Sequence, residues 1–301
     1  MNVKSWLKQA KKQIDPLDAE LIAMAVLGYR DRSELTLNET RELEEDFCGI
    51  IISREKTMNE YLERRKNGEP LAYVLGVKEF YGRDFTIDNR VLIPRPETET
   101  AIDIVKELIQ KLPMRIDGYR RRIVDVGTGS GCIAVTLALE IDPYLAKVVA
   151  LDSYYTTLEV YMKNARDYGV VDMIEHKISD LLDQHSTKLR FDNWADIVVA
   201  NLPYVDETWE WLDQEALAYE PAKALYAAEG GLALIKRLIQ QVAKREDNLY
   251  LVLESDESQH VKIINYAKKH KLKHLETRGL MTVFENPRYN PDFEYDTLDF
   301  E

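Results

Sequence analysis

Hydrophobic spacing divides the chain into stretches of different texture. Up to about residue 68 the apolar positions follow a helical period. Leu17, Leu21, Met24 and Ala25 share one face, with Asp15-Pro16 as a start signal and Gly28 near the stop. The cap-like Thr36-Leu37-Asn38-Glu39 predicts a further helix running through Phe47, Ile50, Ile51 and Arg54. A third helical segment around Met58 to Arg65 ends at the breaker Asn67-Gly68-Glu69-Pro70. Residues 71–92 are then rich in aromatic and β-branched side chains punctuated by Gly76 and Gly82, which predicts a β-hairpin linker. Two prolines keep Ile93-Pro94-Arg95-Pro96 extended, and Glu97 or Thr98 can start the helix that follows.

From about residue 100 the two periods alternate. Strands are predicted at Arg122–Asp125, Lys147–Asp152, Met173–Ile178, Asp196–Ala200, Leu249–Glu254, Lys273–Thr277 and Met281–Glu285. Helices are predicted at Cys132–Glu140, Tyr155–Tyr168, Leu232–Ala243 and Ser258–His270. Continuously apolar strands separated by helices imply an α/β fold whose mainly parallel sheet is covered on both faces and binds ligands at the carboxyl ends of its strands. The expected organisation is a small helical domain over 1–68, a β-hairpin linker over 69–92, the sheet domain over 93–286 and an acidic tail over 287–301.

Charge narrows the partners. The chain of 301 residues carries a formal net charge of −13, which disfavours a phosphate backbone as partner. The basic runs Arg64-Arg65-Lys66 and Arg120-Arg121-Arg122 read as solvated helix ends or loops. No apolar stretch approaches the ~18 residues of a membrane span, and the N-terminus lacks the apolar core of a signal peptide. With only Cys48 and Cys132 a disulfide framework is not expected, which fits a reducing cytoplasm. The five histidines show no metal-ligand spacing, so no metal is expected.

The strongest local motif is Asp125-Val126-Gly127-Thr128-Gly129-Ser130-Gly131, which follows a strand and opens a helix. Glycines there let the backbone approach a ligand and adopt positive φ, and the helix start offers free N–H groups. A dinucleotide fingerprint would place its third glycine at Cys132. Here that glycine comes one residue early, at Gly131, with an acid two residues before the first glycine. This spacing resembles loops that hold S-adenosyl-L-methionine. Asp152, ending the next strand, can accept hydrogen bonds from two ribose hydroxyls. Asp180 can meet the adenine amino group, and Leu181 can pack on the ring. The fourth strand delivers Asn201-Leu202-Pro203-Tyr204 to the same edge. An amide nitrogen is a poor nucleophile because its lone pair is delocalised, so a site that alkylates it must hold both N–H bonds. The Asn201 side-chain oxygen and the Leu202 carbonyl supply two acceptors, Pro203 keeps Leu202 extended, and Tyr204 offers an aromatic face.

Together these stretches resemble the peptide-chain release factor glutamine N5-methyltransferases, the HemK/PrmC family. The resemblance is carried by Asp15-Pro16-Leu17-Asp18-Ala19-Glu20-Leu21, Gly68-Glu69-Pro70-Leu71-Ala72-Tyr73-Val74-Leu75-Gly76 and Glu79-Phe80-Tyr81-Gly82. Leu92-Ile93-Pro94-Arg95-Pro96-Glu97-Thr98-Glu99, the glycine loop, Asn201–Tyr204 and Tyr219-Glu220-Pro221 complete it. It implies a Rossmann-like S-adenosylmethionine methyltransferase sheet whose cofactor contacts are Gly127, Thr128, Gly129, Ser130, Gly131, Asp152, Asp180, Leu181 and Asn201. It further implies that Asn201, Leu202, Pro203 and Tyr204 carry catalysis and bind substrate together with Phe80 and Arg95. The implied partner is the Gly-Gly-Gln loop of class I release factors, gripped in part by the helical domain, with no nucleic-acid substrate, no membrane and a monomeric enzyme. The chain departs from the family at Leu202, where Pro is usual, and at Leu253-Glu254-Ser255, where Glu-Ile-Gly is usual. Two rival readings are an adenine-N6 methyltransferase of nucleic acid and a non-catalytic binding module on the same fold.

Overall fold

The computed structural model describes residues 1–47, 50–112, 120–183, 195–209, 217–246 and 248–289. Two compact units emerge. One spans Met1–Val77 and includes the short segment ending at Tyr219; the other holds the remainder.

The first unit contains α1 (Val3–Ala10), α2 (Pro16–Leu27), α3 (Arg32–Leu37), the strand pair β1 (Glu44–Phe47) and β2 (Ile50–Ser53), α4 (Arg54–Lys66) and α5 (Leu71–Leu75). Asp15 caps α2 by accepting from Leu17 N, Pro16 occupies the first turn, and Gly28 closes the helix at φ 73°. Trp6, Ile22, Leu43, Met58 and Leu62 form its core, and Trp6 Nε1 donates to Asn59 Oδ1 at 2.7 Å.

Two expectations fail in this unit. The helix through Phe47, Ile50 and Ile51 is an antiparallel pair with Glu44 opposite Ser53. Three consecutive isoleucines, Ile50 to Ile52, favour the extended form, and helix resumes only at Arg54, where Ser53 Oγ accepts from Lys56 N. Residues 71–75, expected in the hairpin linker, are helical, and the unit extends to Val77 rather than 68. The Arg64 guanidinium pins this turn, donating to both oxygens of Glu69 and to the carbonyls of Tyr73 and Val74. With Arg65 bound to Asp18 at 2.6 Å, the first basic run is spent on internal ties.

The second unit begins at Lys78, inside the hairpin β3 (Val77–Phe80) and β4 (Arg83–Thr86), followed by α6 (Glu99–Lys111), β5 (Arg121–Val126), α7 (Cys132–Glu140), β6 (Ala146–Asp152), α8 (Tyr155–Asp167), β7 (Ile174–Ile178) and β8 (Ala195–Ala200). Then come α9 (Ala222–Leu225), α10 (Ala233–Ala243), β9 (Asn248–Glu254), α11 (His260–Lys269), β10 (Lys273–Arg278) and β11 (Met281–Glu285). Seven strands form one sheet in the order β10-β11-β9-β8-β5-β6-β7. All of them run parallel except β11. Side chains alternate between two apolar layers. Ile123, Ile197 and Val252 face α6, α7 and α8, whereas Val124, Val198 and Leu251 face α10 and α11. The α/β class and the Rossmann-like sheet agree with the sequence expectation. The hairpin is held to this layer: Tyr81 N donates to Glu99, and Thr86 N donates to Asn164 Oδ1.

Strand order reverses between β5 and β8, so their carboxyl ends diverge around a crevice. At the opposite ends, Asp196 is fully buried and accepts from Arg121 Nη1 (2.5 Å), Arg122 N (2.9 Å) and Tyr289 OH (3.2 Å). Among the described residues no helix is long and apolar enough to cross a membrane, and no cluster of potential ligands is arranged for a metal. Cys48 and most of the expected acidic tail lie outside the described residues.

Asp196→Ala is expected to destabilise the protein by about 3–5 kcal/mol, because it leaves the Arg121 guanidinium buried without its carboxylate. Urea denaturation measures this as a lower midpoint.

Candidate active site

The crevice holds a cleft of about 970 Å³ counting its open mouth, lined by the glycine loop, Asp152, Leu181, Asn201 and the Pro94–Thr98 segment. Its floor is the loop after β5. Gly127 N and Thr128 N both donate to Leu151 O, at 2.8 and 2.9 Å, which ties the loop to the end of β6. Gly131 has φ 82°, and a Cβ there would lie 2.6 Å from the Tyr161 ring. A Cβ on Gly127 would lie 3.1 Å from Leu202 Cδ2. A side chain at Gly131 is therefore excluded, and one at Gly127 would crowd Leu202 at a positive φ, so both positions keep bare backbone in the loop.

Three carboxyl groups stand at strand ends here. Asp125 is fully buried, accepts from Thr128 Oγ1 at 2.7 Å, and is pushed up to about 7 by burial, with the Asp152 charge adding to the shift. Its Oδ1 has no hydrogen-bond partner among the described residues. Asp152 accepts from Gly129 N through one oxygen and from Tyr154 N through the other, each at 3.1 Å. Burial raises it as well. Each of its oxygens keeps lone-pair capacity for a ligand diol. Glu254, at the end of β9, is pushed up to about 7 by burial. Its Oε2 accepts from Thr98 Oγ1 at 2.6 Å and its Oε1 from Tyr204 OH at 3.2 Å.

Asn201 leaves β8 beside Gly127. Its Nδ2 donates to Thr98 Oγ1 at 3.1 Å, and among the described residues no hydrogen bond engages its Oδ1. Leu202 is buried in the layer beneath the loop. Tyr204 is partly buried, its hydroxyl is committed to Glu254, and its carbonyl accepts from Gln259 Nε2 at 2.7 Å. Gly231 is required at that carbonyl, since a Cβ would sit 1.8 Å from it.

Other expected residues fare differently. Phe80 is corrected: it is fully buried, packs edge-on against Phe85 and does not line the cleft, so it is a core residue of the hairpin. Arg95 lines the cleft, but its Nη2 is bound to the buried Glu220 at 2.5 Å. Glu220 also accepts from Ile93 N, so this pair holds the 93–95 wall in place. Asp180 lies at the rim paired with Arg237 at 2.8 Å. Leu181 is buried with φ 55°, its carbonyl held by Ser179 Oγ.

Relatives narrow the identity of this site. A family model described as the PrmC N-terminal domain matches residues 2–76, and one described as RNA cap guanine-N2 methyltransferase matches residues 120–281. The release factor glutamine methyltransferase of Koribacter versatilis is 37% identical over 250 residues, covering 80% of this chain and 81% of that one. That of Neisseria gonorrhoeae is 35% identical over 255 residues, covering 84% of each. The chain belongs to the release factor glutamine methyltransferase family. The guanine-N2 match is confined to the sheet, whereas these relatives extend across most of the chain. The N-terminal domain of human METTL16 superposes with a TM-score of 0.51 at 17% identity, covering 89% of this chain and 94% of that one, which speaks for the fold alone.

Residue-pattern reasoning about this methyltransferase missed Glu254, Thr98, Glu220 and Lys223. Lys223 lines the cleft with its Nζ 3.5 Å from the centre of the Tyr154 ring. One signal was available for Glu254, a carboxylate ending the strand next to β8. Nothing in the local sequence marks Lys223.

The buried Asp125 has a testable consequence. Its folded-state value near 7 exceeds the 3.8 of an unperturbed group. Between those values the folded state binds more protons, so this group's contribution to stability falls as pH rises from about 4 to about 7. Asp125→Asn is expected to flatten that slope, read as a smaller loss of melting temperature between pH 5 and pH 8 than in wild type.

Proposed function

We propose that this methyltransferase transfers a methyl group from S-adenosyl-L-methionine to the side-chain amide nitrogen of the glutamine in the Gly-Gly-Gln loop of class I release factors. It does so in the cytoplasm, as a monomer and without a nucleic-acid substrate. The observation that carries the reading is the Asn201 carboxamide beside the glycine loop. Its NH₂ is held by Thr98 and its oxygen left as an acceptor.

The residues present fit this cofactor. The glycine-rich loop Gly127–Gly131 would hold the methionine part, Asp152 offers two oxygens to the ribose, and Leu181 and Asp180 would meet the adenine. When bound, the cofactor supplies a methyl group on a positively charged sulfur. The protein's task is to present the amide nitrogen. Asn201 Oδ1 and the Leu202 carbonyl accept the two N–H bonds and turn the nitrogen lone pair toward the methyl carbon. As the N–C bond forms, the methyl–sulfur bond would break and leave a neutral thioether, so the positive charge passes to nitrogen, where the two acceptors stabilise it. One N–H proton then leaves to solvent. Pro203 keeps Leu202 extended, and the buried Leu202 side chain against Gly127 couples substrate wall to cofactor floor. The helical unit is assigned to gripping the factor.

Asn201→Ala is expected to lower kcat by about 10²–10³-fold with cofactor affinity little changed. Asp152→Ala is expected to weaken cofactor binding at least about tenfold, read by calorimetry. The deciding experiment is mass spectrometry of a class I release factor after incubation with enzyme and S-adenosyl-L-methionine, with duplex DNA as a parallel substrate. One methyl on the Gly-Gly-Gln glutamine is the expected product; methyl on DNA alone overturns the reading.

A further inference from the structure

A hydroxyl group carries one proton, and the ionised carboxylate beside Thr98 gives that proton its acceptor. Thr98 Oγ1 lies 2.6 Å from Glu254 Oε2 and 3.1 Å from Asn201 Nδ2. In its ionised form Glu254 accepts and cannot donate, and its other oxygen already takes the Tyr204 hydroxyl, so the Thr98 proton points to Glu254 and a lone pair is turned to Asn201. The group facing that lone pair must be the NH₂ end of the carboxamide. The oxygen end is thereby directed away from Thr98. Glu254 is itself held at both oxygens, the second by the Tyr204 hydroxyl. The three partners come from the turn before α6, the end of β9 and the loop after β8, so no local preference brings them together.

We propose that Glu254 and Thr98 are positioning residues that fix which end of the Asn201 carboxamide enters the cleft, and so select a substrate group that donates hydrogens over one that presents oxygen. The inference rests on the reaction proposed above and adds the origin of its selectivity. A free carboxamide interconverts its two ends by rotation about one bond. With the oxygen inward the site receives an NH₂ group; with the nitrogen inward it would receive a carbonyl or carboxylate. Sites built around such directional pairing reject the wrong partner because a buried group is left unpaired. A carboxylate buried among apolar strands is costly to keep, and Glu254 is kept with both oxygens bound, one by Tyr204 and one by Thr98. A role in aiming Asn201 accounts for it.

The test uses the full chain with S-adenosyl-L-methionine and two forms of a class I release factor, the native one and one whose Gly-Gly-Gln glutamine is replaced by glutamate. Thr98→Val removes the relay hydroxyl and keeps the shape; Thr98→Ser restores the hydroxyl. Thr98→Val is expected to lower kcat about 10²-fold, as for a misaligned reacting group, with cofactor affinity within about twofold of wild type. Its preference for binding the glutamine over the glutamate factor is expected to collapse toward unity. Thr98→Ser is expected to recover most of both. Should Thr98→Val fail to fold, Glu254→Met removes the acceptor without leaving a buried charge and is expected to show the same two losses. Wild-type kcat and preference in Thr98→Val, or in Glu254→Met where that variant carries the test, overturn the proposal. Equal losses in Thr98→Val and Thr98→Ser overturn it too. A wild-type enzyme that prefers the glutamine factor but transfers no methyl sinks the reaction and leaves the positioning pair standing. A wild type that does neither overturns both.

Discussion

The parallel register of β5 against β8 governs the chemistry of this molecule. Val126 stands opposite Ala200, so the two chains leave the sheet side by side, one entering Gly127 and the other Asn201. At the far end the same two strands are tied by Asp196, which takes the Arg122 N–H and the Arg121 guanidinium. A slip of one residue would exchange the two apolar layers, because Ile123 and Ile197 belong to one face and Val124 and Val198 to the other. The glycine loop and the Asn201 turn are therefore set to one another by register. Leu202 completes the link: its side chain fills the space that only a glycine at 127 leaves open.

Polar groups are distributed over this frame with a clear division of labour. Asp125, Asp152 and Glu254 stand at or next to the carboxyl ends of β5, β6 and β9, and burial raises all three. Asp152 is steadied by backbone N–H groups, whose direction the main chain sets. Glu254 is steadied by two hydroxyls, whose protons can turn. A hydroxyl passes on the direction imposed by its acceptor, which a backbone N–H cannot do, and the Thr98 hydroxyl carries such a direction from Glu254 to Asn201. Low polarity around these groups strengthens each bond while making an unmade one costly. The arrangement thus favours a single geometry over several loose ones.

The same economy appears away from the crevice. Arg64 spends its guanidinium on Glu69 and two carbonyls to hold the turn into α5. Arg95 spends part of its own on Glu220, which also takes the Ile93 N–H. Arg95 stands in a segment that resembles the family, and in both arginines the charge is used first to shape backbone. Acid and base thus balance locally in a chain with an overall formal charge of −13.

The sequence by itself determined the strands and helices of the sheet unit, the glycine loop and the position of Asn201 one strand-end away. These follow from periodicity, from glycine's freedom at positive φ and from the order of elements, all of which are local. It misled at Phe47, over Ile50–Ser53 and over 71–75, where a β-branched run and an arginine clamp outweigh the helical or strand pattern. It also misplaced Phe80, since an aromatic residue in a hairpin carries no mark of which way it faces until α6 and α8 pack against it. Only the tertiary structure decided the roles of Glu254, Thr98 and Glu220. Their partners lie 50 to 156 positions away along the chain. A hydrogen bond depends on distance and direction in space, and neither is written in the residues that flank it.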